Sequence, residues 1–192
     1  MWETTVLKGV IPMHPQKQTA VLFIDMINDF QFSHGDTLLT QTKKMLPNIL
    51  QLKQYAKDHG FPIIYINDHY NLWQADLQRI YQKCRNKDNE ELLEQIVPHE
   101  TDYFLIKPKH SAFHQTALQA LLSELGIKHL ILSGIAGNIC VLFTANDAYM
   151  REYTLSVPED LIASNDEQDN DYALRMMKNV LKADITPSHQ FS

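Results

Sequence analysis

Short, uninterrupted apolar runs separated by longer stretches of helical period constrain this chain more than any other feature of it. Residues 20–24 (AVLFI), 61–66 (FPIIYI), 103–106 (YFLI), 128–133 (KHLILS) and 154–157 (TLSV) read as strands buried on both faces. Pro62 falls at the start of the second run, where a missing N–H costs a ladder little. Between the runs, residues 43–59 put Met45, Leu46, Ile49, Leu52 and Ala56 on one stripe and stop at Gly60. Residues 88–96, 114–125, 139–153 and 169–182 read as further helices, the second stopping at Gly126. Residues 67–73 read as a polar and aromatic loop, 164–171 as a solvated acidic one, and 184–186 as a short sixth strand. Strand–helix alternation of this kind predicts right-handed crossovers and a parallel sheet covered on both faces, an α/β fold. At 192 residues and 44 % apolar side chains, the chain has enough core for a single domain spanning 1–192 without metal or disulfide staples.

Several function classes drop out at this point. The net charge is -6 and no dense Lys/Arg run occurs, so nucleic acid and anionic membrane are not expected partners. No G-x-G-x-x-G and no G-x-x-x-x-G-K-[ST] follows a strand, which removes the dinucleotide and P-loop folds. Two cysteines, Cys84 and Cys140, make no disulfide framework. Residues 1–10 carry no signal-peptide apolar core, and no apolar run approaches the ~20 residues of a membrane helix. A reduced, cytoplasmic compartment is the expectation.

In an open parallel sheet, ligands bind outside the carboxyl ends of the strands. The polar residues at those ends are Asp25, Asn67, Asp68, Lys107 and the loop 134–140. Asp25 fits both a helix N-cap and a partly desolvated carboxylate that needs a partner. Lys107, continuous with a buried run, either snorkels or pairs with an acid. Cys140 follows a glycine-containing turn at a predicted helix start. There the free N–H groups would lower a thiol pKa and could receive an oxyanion; a plain core cysteine is the competing reading. Together the three supply a nucleophile, a cation and a proton-carrying acid at the strand ends of one sheet.

Three segments then carry a family resemblance, in order along nearly the whole chain. Asp25-Met26-Ile27-Asn28-Asp29-Phe30, Lys107-Pro108-Lys109-His110-Ser111-Ala112-Phe113 and Gly134-Ile135-Ala136-Gly137-Asn138-Ile139-Cys140-Val141 resemble the acid, lysine and nucleophile segments of the isochorismatase-like cysteine hydrolases. The resemblance implies a three-layer αβα sandwich with a six-stranded parallel, Rossmann-like sheet. It implies a cis Ile135–Ala136 peptide bond, an oxyanion hole from the Ala136 and Cys140 N–H groups, and an Asp25–Lys107–Cys140 triad. It implies cleavage of a small amide, carbamoyl or related acyl compound through a thioester on Cys140, in a homodimer or homotetramer. The alternative is a non-catalytic binding or assembly member of the same fold.

The chain departs from the family's pattern in two places. Gly137 stands where members often have Thr. Asn67-Asp68-His69 stands where nicotinamidases have an Asp-x-His metal pair, and the altered spacing leads us to expect no metal and no cofactor. Phe30, Asn67, Trp73 and Phe113 are the expected substrate-contacting residues. Trp73 fits stacking on a planar substrate and packing against its own loop or a subunit interface equally. Tyr149 reads as core or interface, and Cys84, in a polar stretch, as an incidental thiol.

Overall fold

The computed structural model describes residues 18–191; the expectation for residues 1–10 lies outside that range. Strands β1 (Thr19–Ile24), β2 (Ile63–Asp68), β3 (Tyr103–Lys107), β4 (His129–Ile135), β5 (Thr154–Ser156) and β6 (Ile162–Ala163) form one sheet, every pairing parallel. The order is β3-β2-β1-β4-β5, with β6 alongside the second half of β4. Helices α1 (Gly35–His59), α2 (Leu77–Cys84), α3 (Glu90–Ile96), α4 (Leu118–Glu124), α5 (Leu142–Tyr149) and α6 (Glu167–Asn179) cover it.

Period-two alternation in the central strand creates the layers. Ala20, Leu22 and Ile24 of β1 face one core with Leu118 and Leu122 of α4, Ala145 and Ala148 of α5, and Ala173, Leu174 and Met177 of α6. Val21 and Phe23 face the other, with Ile49 and Leu52 of α1, Ile80 and Cys84 of α2, and Leu92, Leu93 and Ile96 of α3. Three helices on each face of a fully buried strand make the three-layer αβα sandwich.

Where the elements depart from expectation, tertiary packing is the reason. Helix α1 begins at Gly35 rather than at 43: its threonine-rich first turns are weak helix formers, but Leu38, Leu39 and Thr42 are buried and hold them. It does stop at Gly60, whose left-handed φ of 68° closes the last turn. Helix α2 was not anticipated; Asp76 caps it by accepting the Arg79 N–H. The expected sixth strand at 184–186 is only an isolated bridge from Ser156 to Asp184, and the sixth strand of the sheet is Ile162–Ala163. The expected helix over 139–153 starts as a π-helical turn, Gly137–Val141, and ends at Tyr149.

Parallel register brings all the strand ends to one edge: Ile24 aligns with Ile66 and Gly134, and Asp68 with Lys107. Gly134 is what lets β1 and β4 lie so close there. Its φ is 131°, a region L side chains rarely adopt, and a Cβ would fall inside contact distance of the Ile24 carbonyl oxygen. Gly134→Ala is therefore expected to destabilise the fold by about 3 kcal/mol, from strain plus overpacking. Chemical denaturation checks this; a loss below about 0.5 kcal/mol would contradict the close approach.

Candidate active site

Asp25 leaves β1 with a left-handed φ of 53°, a conformation that Asp tolerates better than most residues. No helix starts there, so it is not an N-cap. Its backbone N–H donates to the Ile66 carbonyl (3.0 Å) and its Oδ1 accepts the Asp68 N–H (2.8 Å), which fixes the carboxylate between β1 and β2. Lys107 reaches it from the end of β3, across β2, with Nζ 2.8 Å from Asp25 Oδ2. Two strand spacings are roughly 10 Å, a gap that needs the full lysine stem. Lys107 Nζ also donates to the Lys109 carbonyl (3.1 Å) and lies 3.5 Å from Cys140 Sγ. The lysine side chain is 2 % exposed and the carboxylate 9 %. The structure thus brings the three residues predicted to act together into one cluster, with Asp25 and Lys107 buried and Cys140 partly so.

Cys140 sits in the π-helical turn after β4, behind a cis Ile135–Ala136 peptide. The turn's amides are largely committed. Asn138 N–H donates to Ser164 Oγ (3.0 Å), and the Ile139 and Val141 N–H groups both donate to the Ala136 carbonyl (3.1 and 3.2 Å).

The electrostatics correct one expectation. Cys140 was expected to be a thiolate near neutrality, its pKa lowered by a helix start. Instead, burial and then the Asp25 charge push the thiol up to about 12, and the opposing Lys107 charge only moderates this. The cysteine is largely desolvated within the turn, and the Asp25 carboxylate beside it adds to the effect of that burial rather than to the pull of the helix start. Burial likewise raises Asp25, against the pull of Lys107 and its hydrogen bonds to Cys140 and Asp68. For Lys107, burial works to lower the pKa, but Asp25 and Cys140 outweigh it and hold the ammonium charged. The cluster therefore rests as a neutral thiol next to a carboxylate of raised proton affinity, with a fixed cation touching both.

The expected substrate-contacting residues are placed differently. Asn67 is fully buried at the end of β2, and its amide bonds both ways to the Ile27 backbone, accepting that N–H at 3.1 Å and donating to its carbonyl. It pins the loop after Asp25. Phe30 and Phe113 are core side chains, Phe113 against Tyr153 and beneath Arg151. Trp73 is 67 % exposed and stacks on His69 at 3.9 Å. His69 Nδ1 accepts the Asn71 N–H and Asp68 Oδ1 the Tyr70 N–H, so these side chains serve their own turn. Cys84, read as an incidental thiol in a polar stretch, is fully buried at the end of α2. One neighbour was missed: exposed His110 has Nδ1 3.9 Å from Cys140 Sγ and its ring against Phe143. Its place within the lysine segment was the available signal. Among the described residues, no helix is long and apolar enough to cross a membrane.

The isochorismatase domain model matches residues 19–189. The chain belongs to the isochorismatase family of hydrolases. An uncharacterized isochorismatase family protein of Bacillus subtilis is 58 % identical over 171 residues, covering 89 % of this chain and 94 % of that one. Among solved structures, this family member resembles N-carbamoylsarcosine amidase from Thermoplasma acidophilum, with TM-score 0.69, 26 % identity, and 91 % and 99 % of the two chains covered. It also resembles a nicotinamidase from Bacillus subtilis, with TM-score 0.70, 25 % identity, and 88 % and 99 % covered.

The charge arrangement in this hydrolase makes a signed prediction. Iodoacetamide reacts with thiolate, so alkylation of Cys140 should keep rising with pH through the alkaline range, without a plateau near neutrality. Asp25→Asn removes a charge that raises the thiol pKa, and should speed alkylation about tenfold at neutral pH. Lys107→Met removes a charge that lowers it and should slow the reaction. The opposite ordering, read by mass spectrometry of the labelled peptide, would refute this electrostatic picture.

Proposed function

We propose that the chain is a cysteine hydrolase that cleaves the C–N bond of a small amide, carbamoyl or related acyl compound. The observation that carries this reading is the mutual contact of Cys140, Lys107 and Asp25 at the strand ends. As Cys140 Sγ attacks the carbonyl carbon, its proton passes to Asp25, whose raised pKa makes it a competent acceptor. The carbonyl electrons move to oxygen, and the Ala136 and Cys140 N–H groups receive the oxyanion. Collapse breaks the C–N bond, Asp25 returns the proton to the departing nitrogen, and a thioester remains on Sγ. Water then attacks the thioester, gives a proton to Asp25, and the acid leaves as the thiol recovers its proton. Lys107 stays charged throughout and steadies whichever of its neighbours is anionic.

The buried acid–lysine pair supports this reading over a binding module. Desolvating two charges costs several kcal/mol per ion, more than fold stability alone requires. The likeness to an N-carbamoylsarcosine amidase and a nicotinamidase supports C–N over other acyl bonds.

The test is release of ammonia or amine from a panel of primary amides and N-carbamoyl compounds. Cys140→Ser and Asp25→Asn are each expected to lower kcat by at least roughly a thousandfold, as removal of one member of a cooperating set does elsewhere. Cys140→Ser enzyme that keeps wild-type turnover would overturn the proposal.

A further inference from the structure

The nucleophile turn is held from behind by residues that the proposed chemistry does not use. The Asn138 N–H, two residues before Cys140, donates to Ser164 Oγ at 3.0 Å. Ser164 Oγ in turn donates to Asn170 Oδ1 at 2.7 Å. Ser164 follows β6 and is buried, and Asn170 is in the second turn of α6. The chain of bonds runs amide to hydroxyl to carbonyl, an order in which each bond polarises the next. It ties the turn to an element that starts some thirty residues later.

Gly137 completes the arrangement. A Cβ on it would press into Asn170 Oδ1 and would also crowd Ile162 Cδ1 (3.0 Å) and Ser164 Oγ (3.2 Å). Residue 137 is thus glycine because the Asn170 amide occupies the space a side chain would take. The atoms in the way are ends of side chains rather than backbone, so a methyl group here would displace Asn170 from Ser164 instead of breaking the fold. The turn's own sequence, Gly137-Asn138-Ile139, supplies no side-chain bond to hold its inner face; the bond comes from Ser164.

We propose that Ser164 and Asn170 are positioning residues that set the orientation of the oxyanion-binding turn from α6. This rests on the cysteine hydrolase reading. Their role is to keep the Cys140 and Ala136 N–H groups aimed where the oxyanion develops, so their loss should slow acyl transfer to sulfur more than it slows simple alkylation of sulfur. Alkylation by iodoacetamide displaces iodide at a saturated carbon and develops no oxyanion; acylation by p-nitrophenyl acetate forms the S–C bond, breaks the ester C–O bond, expels p-nitrophenolate and passes through one.

The experiment measures both rates at Cys140 in the full chain, by intact mass and p-nitrophenolate release. Asn170→Ala and Ser164→Ala are expected to lower the acylation rate roughly tenfold or more, approaching the hundredfold that a 1 Å misplacement brings. Alkylation should stay within about twofold of wild type, because no oxyanion forms. Ser164→Thr, which keeps the hydroxyl, should restore acylation. Gly137→Ala should reproduce the Asn170→Ala defect, and Gly137→Ala/Asn170→Gly should be no worse than Asn170→Gly alone, since both act on one contact. Thermal unfolding of each variant separates folded enzymes from unfolded ones. Additive losses, equal falls in the two rates, or wild-type acylation in folded Asn170→Ala would overturn the proposal. A wild-type chain that takes up no acetyl group at Cys140 would instead overturn the hydrolase reading beneath it.

Discussion

The buried contact between Lys107 and Asp25 is the constraint on which the rest of the site depends. It links the end of β3 to the end of β1 across the intervening β2, at 2.8 Å and almost without solvent. Such a pair is stable only when the remaining hydrogen-bonding capacity of both ions is met. Here the Asp68 N–H meets the carboxylate and the Lys109 carbonyl meets the ammonium. Asn67, gripping Ile27 by both ends of its amide, stops the chain after Asp25 from drifting away. The third partner of the lysine is the sulfur of Cys140. The sheet register, the left-handed turn at Asp25 and the length of a lysine stem are thus all needed before there is any chemistry.

Burial of the sulfur, with the Asp25 charge beside it, decides where its proton rests. A cysteine near a helix start beside one lysine would be a standing thiolate. With Asp25 in the same cluster and the sulfur largely desolvated, the charge balance reverses and the proton stays on sulfur. In the mechanism proposed above, nucleophile and base would then be created together, as an arriving carbonyl takes electron density from sulfur and Asp25 takes the proton. A resting neutral thiol is also slow to react with oxidants and stray electrophiles.

How much of this was legible beforehand depends on whether the cause was local. Strands such as residues 20–24 announce themselves because a doubly covered strand must be apolar throughout. The clustering of Asp25, Lys107 and Cys140 was legible because polar residues just past such runs are few and must lie on one edge of a parallel sheet. Helix α2 carries a readable signal in Asp76, Leu77, Ile80 and Cys84, an N-cap followed by an apolar stripe, but at eight residues it is too short for periodicity to single it out. β6, two residues long, exists only through its pairing with Gly134 and Ile135 and has no local signature. The position of Asn67 at a strand end was legible, but the bonds its amide makes depend on Ile27, forty residues earlier. The thiol's protonation was illegible because its largest cause, burial of the sulfur, depends on how the folded chain packs around Cys140.

The most direct measurement of this account is the infrared S–H stretching band of the resting enzyme at neutral pH. It is recorded on a Cys84→Ser background so that Cys140 is the one remaining thiol. The account predicts a band from a buried S–H that vanishes in the further Cys140→Ser variant. Absence of any S–H band at neutral pH would mean that Cys140 already rests as a thiolate, and would contradict the claim that burial and the Asp25 charge outweigh Lys107 and keep the proton on sulfur.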